Sequence, residues 1–178
     1  MIMDTLVING SPRENGNCAQ IIARIWPRLG SAARLDAYWA QIAPCNDCRA
    51  CHKTGECIVK DDMRVILNDD FNRVVIISPI YMGTLTPPMI SLLTRFQADY
   101  AAKRFRKAPV SRRPKQASLI LLGGGDGKPD EALRLGRLTA RSLNAAPGPE
   151  DIHMYLDTDR APAVSDMSFM KKLEASFD

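Results

Sequence analysis

The chain has 178 residues, 46% of them hydrophobic and 25% charged, with a net charge of +4. That is ordinary globular usage, enough for a single domain spanning residues 1–178 with its own core, and it argues against a disordered or disulfide-stapled chain. No apolar run is long enough to cross a bilayer, so no membrane partner is expected.

The opening segment, MIMDTLVINGSP, has neither a basic leader nor a long apolar stretch. It reads as a strand rather than a signal peptide, which predicts a cytoplasmic protein with reduced thiols. Asp4 to Gly10 is short, apolar and β-branched and stops at glycine, as a buried strand does. Asn17 to Leu29 carries apolar residues at helical spacing, with Asn17 as a candidate N-cap and Pro27 limiting its length. A weaker second strand lies within Ser31 to Ala40, followed by a cysteine-rich loop at 44–60. Asp61 to Asp70 reads as a helix opened by two acids, whose simplest role is to cap it.

Arg73 to Tyr81 is the strongest strand, because its Val-Val-Ile-Ile run lacks polar alternation, as expected when both faces are covered. Pro87 to Phe105 reads as one helix with proline in its first turn. Gln116 to Gly125 is a buried strand stopped by glycines, Asp130 to Ala146 an amphipathic helix, Asp151 to Asp157 a short fifth strand, and Ser165 to Phe177 a last helix capped by Ser165. Alternating strands and helices imply a three-layer α/β/α domain with a parallel sheet. Five strands fit a flavodoxin-like doubly wound sheet of order 2-1-3-4-5, in which ligand binds where strands one and three part.

Three loops then share one sheet edge. The first, GSPRENGN, leads into a helix N-terminus, where Ser11, Asn15, Asn17 and the Cys18 backbone can donate to a phosphate and Arg13 can add charge. It is neither a Walker A loop nor G-x-G-x-x-G. The second, SPIYMGTLTPP, offers Pro79, Tyr81, Met82 and Gly83, a set suited to a flat ring. The third, LGGGDGKP, places Gly123, Gly124 and Gly125 where a ligand can approach the backbone.

Lys103 to Lys115 holds seven basic residues and no acidic one. Without aromatic interleaving it reads as a solvated loop, and no nucleic-acid partner is expected; a docking patch for an acidic redox partner is the sharper reading. Cys45, Cys48, Cys51 and Cys57 stand at C-x2-C-x2-C-x5-C. Three readings compete: ligands of a 4Fe–4S cluster, since two-residue gaps let thiolates curl round a cubane; a zinc site, which lacks its usual second knuckle; or free thiols. His52 reads as a solvated neighbour, and His153 and Cys18 as structural. No Ser-His-Asp set or metal-hydrolase motif appears, so catalytic side chains cannot be named.

Together NGSPRENGN, PCNDCRACHKTGECIVKDDM and SPIYMGTLTPP resemble the iron–sulfur flavoproteins and related NADPH-dependent FMN reductases. The resemblance is clear over roughly the first hundred residues. It implies FMN, with its phosphate held by Ser11, Arg13, Gly16 and Asn17 and its ring by Pro79, Tyr81, Met82 and Gly83, the glycines from Gly123 approaching from the other side. A Ser or Thr commonly follows the Gly-Asn pair in that family; here it is Cys18, a weaker donor. The resemblance favours a 4Fe–4S cluster on the four cysteines, NAD(P)H as a transient substrate, and a quinone or ferredoxin as electron partner. It also implies a homodimer or homotetramer. The apolar helix residues Met89, Ile90, Leu92, Leu93, Phe96 and Tyr100 look like more than one sheet face can cover. The expected function is an FMN-binding, NAD(P)H-dependent oxidoreductase or electron-transfer protein. The alternatives are a cluster-free FMN or quinone reductase, or a non-enzymatic zinc or thiol sensor.

Overall fold

Uninterrupted runs of Val, Ile and Leu form the middle of a five-stranded, all-parallel sheet of order β2-β1-β3-β4-β5 in a computed structural model that describes residues 3–67, 71–125 and 127–178. The strands are β1 (Met3–Asn9), β2 (Ala32–Asp36), β3 (Phe71–Pro79), β4 (Gln116–Leu122) and β5 (Ile152–Tyr155). β1 lies between β2 and β3, with Leu6 opposite both Ala33 and Val74, so the chain switches sheet direction between β1 and β3.

The strand pleat sends alternate residues to two separate cores. Leu6, Ile8, Val74, Ile76, Leu119 and Leu121 face one side. There they pack against Met63 and Ile66 of α3 (Met63–Leu67), Met89 and Leu92 of α4 (Pro87–Thr94), and Ala132 and Ala140 of α6 (Asp130–Ser142). Val7, Val75, Ile77, Ile120 and Leu122 face the other side. Their cover is Cys18, Ile21, Ile22 and Ile25 of α1 (Asn17–Ile25) and Met170 and Leu173 of α7 (Met167–Ala175). Burial on both faces is why these strands lack polar alternation. No described helix is long and apolar enough to cross a membrane.

Several expectations need correction. Gly16, not Asn17, is the N-cap of α1; the Asn17 Oδ1 instead accepts from the Ala163 N–H at 2.7 Å, tying α1 to the loop after β5. Asp166, not Ser165, caps α7, its carboxylate accepting from the Phe169 N–H at 2.8 Å. The expected helix from Pro87 to Phe105 is three pieces: α4, α5 (Gln97–Ala101) and a π-helical turn over Ala102–Arg106. A short helix, α2 (Ala50–Thr54), forms inside the cysteine loop. The end of the expected Asp61 to Asp70 helix lies outside the described residues, as does Asp126 of the glycine-rich loop. The apolar residues after Pro87 are largely used within the chain's own core: Met89, Leu92 and Phe96 are buried, Ile90 and Leu93 pack partly against them, and only Tyr100 is exposed. The basic run is not simply solvated either. Arg112 pairs with Asp99 and lies over the Phe96 ring, and Lys115 is buried over Phe71.

His153 is buried on β5, with Nε2 3.1 Å from the Ser176 hydroxyl. Burial holds its pKa below the usual 6.5, although Asp151 opposes the shift. A histidine with a depressed folded pKa contributes stability that is present above its unfolded pKa and lost as pH falls below it. Urea melts are therefore expected to show a stability loss from about pH 6.5 downward that shrinks in His153→Gln. An unchanged slope in the variant would refute that assignment.

Candidate functional site

The C-terminal ends of the strands are laced together by main-chain hydrogen bonds. Gly10 N–H donates to Ile77 O at 2.8 Å, Ile80 N–H to Leu122 O at 2.7 Å, and Gly123 N–H to Tyr155 O at 2.9 Å. The Thr86 hydroxyl, fully buried, donates to Gly10 O at 2.9 Å and so links the first loop to the start of α4. These bonds fix the three loops relative to one another on the rigid sheet edge.

A cavity of about 210 Å³ opens between them. It is lined by Ser11, Arg13, Gly16, Asn17 and Cys18 from the first loop, Pro79, Ile80 and Tyr81 from the second, Leu122 to Gly124, and Thr158. A wider trough of about 630 Å³ adjoins it through Ile80, Gly123 and Gly124 and adds Met82, Gly83, Gly125 and Lys128. Of the residues expected here only Asn15 lines neither space; it is exposed, and its carbonyl accepts from the Gln20 side chain. Ile80, Leu122, Leu156, Thr158 and Lys128 were missed. They sit on strand ends and loops whose residue types carry no signal until the topology brings them together.

The first loop is shaped by its own side chains. Asn9 Oδ1 accepts from the Ser11 N–H at 3.1 Å, and Ser11 Oγ accepts from the Arg13 N–H at 3.2 Å, which turns the chain toward α1. No side chain caps α1, so the amides of its first turn, at the residues that line the cavity, have no intrahelical acceptor. That is the donor set and dipole an anion needs. The Cys18 thiol is buried in the core below, and burial pushes its pKa up to about 12 despite the Ser11 hydroxyl beside it, so it is neither a nucleophile nor an anion.

The second loop is a tight hairpin. Tyr81 and Thr84 exchange both backbone hydrogen bonds at 2.9 Å, with Met82 (φ 51°) and Gly83 (φ 77°) at its centre, the geometry of a type I′ turn. Met82 is held left-handed with its side chain wholly in solvent at the trough's edge. Such a backbone costs a non-glycine residue on the order of 1 kcal/mol or more. Tyr38, not anticipated from the sequence, stands beside Tyr81; burial and that neighbour raise its pKa.

The four cysteines also converge. Cys45, Cys48, Cys51 and Cys57 line one small, partly open cavity of about 20 Å³ together with Arg95 and His52; Cys45 and Cys48 are exposed, Cys51 and Cys57 half-buried. Burial raises the Cys51 pKa, and the other three sulfurs add to the shift. None is disulfide-bonded. His52 is stacked on Phe105, with ring centroids 4.2 Å apart, and both rings remain partly exposed. Among the described residues no three His, Cys, Asp or Glu are arranged to hold a single metal ion.

Asp61 was expected to do no more than cap a helix. One carboxylate oxygen does accept from the Met63 N–H, but the other accepts from Arg95 Nη1 at 2.5 Å and from the Ala43 N–H at 3.1 Å. Arg95 also donates to Ala43 O at 3.0 Å and Val59 O at 3.1 Å. Its signal in the sequence was a charged residue in the apolar stripe of Met89, Leu92 and Phe96.

A family model described as NADPH-dependent FMN reductase matches residues 3–152. The chain belongs to the NADPH-dependent FMN reductase family. Two relatives are each named iron-sulfur flavoprotein. The one from Archaeoglobus fulgidus is 27% identical over 139 residues, 72% of this chain and 58% of its own. The one from Methanosarcina thermophila is 30% identical over 94 residues, 49% of each chain. This FMN reductase family member thus spans about half to three-fifths of the length of those relatives. Smu.1420 from Streptococcus mutans UA159 superposes with a TM-score of 0.74 over 98% of both chains at 12% identity, a likeness of fold.

Proposed function

We propose that this protein is an FMN-dependent oxidoreductase that takes electrons from NAD(P)H and delivers them to a quinone or a protein acceptor such as a ferredoxin. The observation that carries the reading is the convergence of three loops on one cavity at the β1/β3 switch point, with an uncapped helix N-terminus at one end and an open trough at the other. FMN held there would supply the redox chemistry, with two-electron and one-electron transfer both open to it.

The chain's own residues bind and orient. The first-turn amides of α1, with Ser11, Arg13 and Gly16, suit the phosphate, and the hydroxyl that relatives place after Gly-Asn is replaced by a buried thiol that cannot contribute one. The Asn17 carbonyl oxygen is engaged by Ala163, which leaves its amide group as the donor. Pro79, Tyr81, Met82 and Gly83 on one side and Gly123 to Gly125 on the other suit a flat ring lying in the trough. The exposed Trp39, Tyr81 and Met82 leave apolar surface beside it, which supports a homodimer or homotetramer closing over the site.

The cysteine loop is proposed as a 4Fe–4S site. Four thiols facing one cavity fit that donor set, and Arg95 Nε, buried there without a conventional acceptor, fits a sulfur-rich neighbour. Eight residues of α4, about 12 Å of helix, join the second loop to this site. Protein purified without oxygen is expected to show flavin absorption bands, to contain iron and sulfide, and to oxidise NAD(P)H with a quinone. A colourless protein that takes up no FMN overturns the reading; flavin without iron reduces it to a cluster-free reductase.

A further inference from the structure

Arg95 ends α4 on its buried side, its side chain 2% exposed, and reaches the cysteine loop rather than the sheet. Its two terminal nitrogens donate to Ala43 O and Val59 O, two residues before Cys45 and two after Cys57. One guanidinium therefore fastens both limbs of the loop. The preceding residue adds a third tie, since the Thr94 hydroxyl accepts from the Cys45 N–H at 3.0 Å. The guanidinium lines the thiol cavity, whereas its partner Asp61 does not. The ion pair is thus a dipole with its positive end toward the sulfurs. Nε is buried with no hydrogen-bond partner, and Cys57 lines the same cavity as the guanidinium that carries it. The other charges at this cavity are screened: Asp47 and Arg49 pair with each other in solvent at 3.1 Å.

We infer that Arg95 is a positioning residue for the four-cysteine loop, holding its two limbs in register and presenting a buried positive charge to the sulfurs that tunes the electron affinity of whatever they bind. The inference rests on the reading of those cysteines as a cluster site. A low-dielectric cation beside a group that gains negative charge on reduction favours the reduced form. The planar fork makes this geometry, and a lysine can supply the charge without the paired bonds.

The test uses the full chain with Arg95→Lys and Arg95→Met, checked first for melting temperature and FMN retention. In protein freed of iron, hydrogen exchange of the amides from Cys45 to Val59 is expected to quicken about tenfold or more in Arg95→Met, in both limbs together. In anaerobically reconstituted protein, the midpoint potential of the cluster is expected to move negative in Arg95→Met and to be largely restored in Arg95→Lys. If the unmodified protein takes up no iron and sulfide, the cluster reading fails, and the exchange experiment alone decides the role of Arg95. Wild-type exchange in Arg95→Met overturns the fastening role. Faster exchange with an unmoved potential overturns the electrostatic one and leaves a strap.

Discussion

Replacing Asp61 with alanine is expected to lower unfolding stability by about 3–5 kcal/mol, because it strands the Arg95 charge in the interior. Arg95 is buried and Asp61 nearly so, at 2% and 11% side-chain exposure, so water cannot readily take the carboxylate's place. Burial opposes both charges. Even so, hydrogen bonds from Arg95 and from the Ala43 and Met63 amides hold the Asp61 carboxyl below the ordinary carboxylate range. The bond to Asp61 and the nearby Cys57 thiol likewise outweigh burial and hold Arg95 above the ordinary arginine range. A depressed carboxyl pKa contributes stability that is present above the unfolded value, near 3.8, and lost as pH falls through the folded value. The gap between wild type and Asp61→Ala in urea melts should therefore be full at pH 6 and narrower below pH 4. A gap under about 1 kcal/mol at pH 6 would place this pair among the weak surface bridges. A gap that does not close in acid would mean that the carboxylate's charge is not what matters.

The same pair marks where the sequence stopped being legible. Strand order, the two-faced burial of β3 and the three loops at one sheet edge all follow from short-range patterns: apolar runs, glycine stops and the alternation of strand with helix. Arg95 does not. Its role depends on Ala43 and Val59, 52 and 36 residues earlier in the chain, and no local pattern encodes those partners. The break in the helix after Pro87 has the same origin. Arg95 reaches the cysteine loop while its neighbour Phe96 joins the core, and both sets of partners lie far away in the chain. The turn tightens there, with Arg95 N–H bonding to Leu92 O and Phe96 N–H to Leu93 O, and both side chains swing inward. Apolar periodicity across residues 89–100 is compatible with either course of the chain. The capping errors are of a related kind. Asn17 and Ser165 are good caps by type, but Asn17 is recruited by Ala163 from the loop after β5, and a 3₁₀ turn over Ala163–Ser165 moves the cap of α7 one residue on, to Asp166. The candidate cavity itself was half legible. Its glycines and polar donors announced themselves by type, whereas Leu122 and Thr158 join it only because β4 and β5 are neighbours.

The glycine-rich loop gives the sharpest test of that cavity. Gly124 lies against the loop after β5: a Cβ there would stand 2.9 Å from both the Asp159 N–H nitrogen and the Asp159 carboxylate. The backbone on that side is pinned, because Thr158 N–H donates to Gly123 O at 3.0 Å and Arg160 N–H to Asp157 O at 2.9 Å. Gly124→Val must therefore push the two loops apart at the wall shared by the cavity and the trough, or turn its methyls into them. Overpacking of this kind costs about 1–3 kcal/mol. Charged to binding rather than folding, that is a loss of roughly 5- to 150-fold in FMN affinity. Gly125, which also lines the trough, separates backbone strain from crowding of the neighbouring loop. It has a φ of 70° and nothing within 4 Å of its Cβ position, so Gly125→Ala strains the backbone without displacing any protein atom. Fluorescence titration of flavin-free protein is expected to show Gly124→Val binding FMN at the weak end of that range, Gly125→Ala within a few-fold of wild type, and both melting cooperatively. Equal losses in the two variants would mean that loop conformation, not access to the wall, governs binding. Wild-type affinity in Gly124→Val would remove this wall from the site and leave the ring to the Tyr81–Thr84 turn alone.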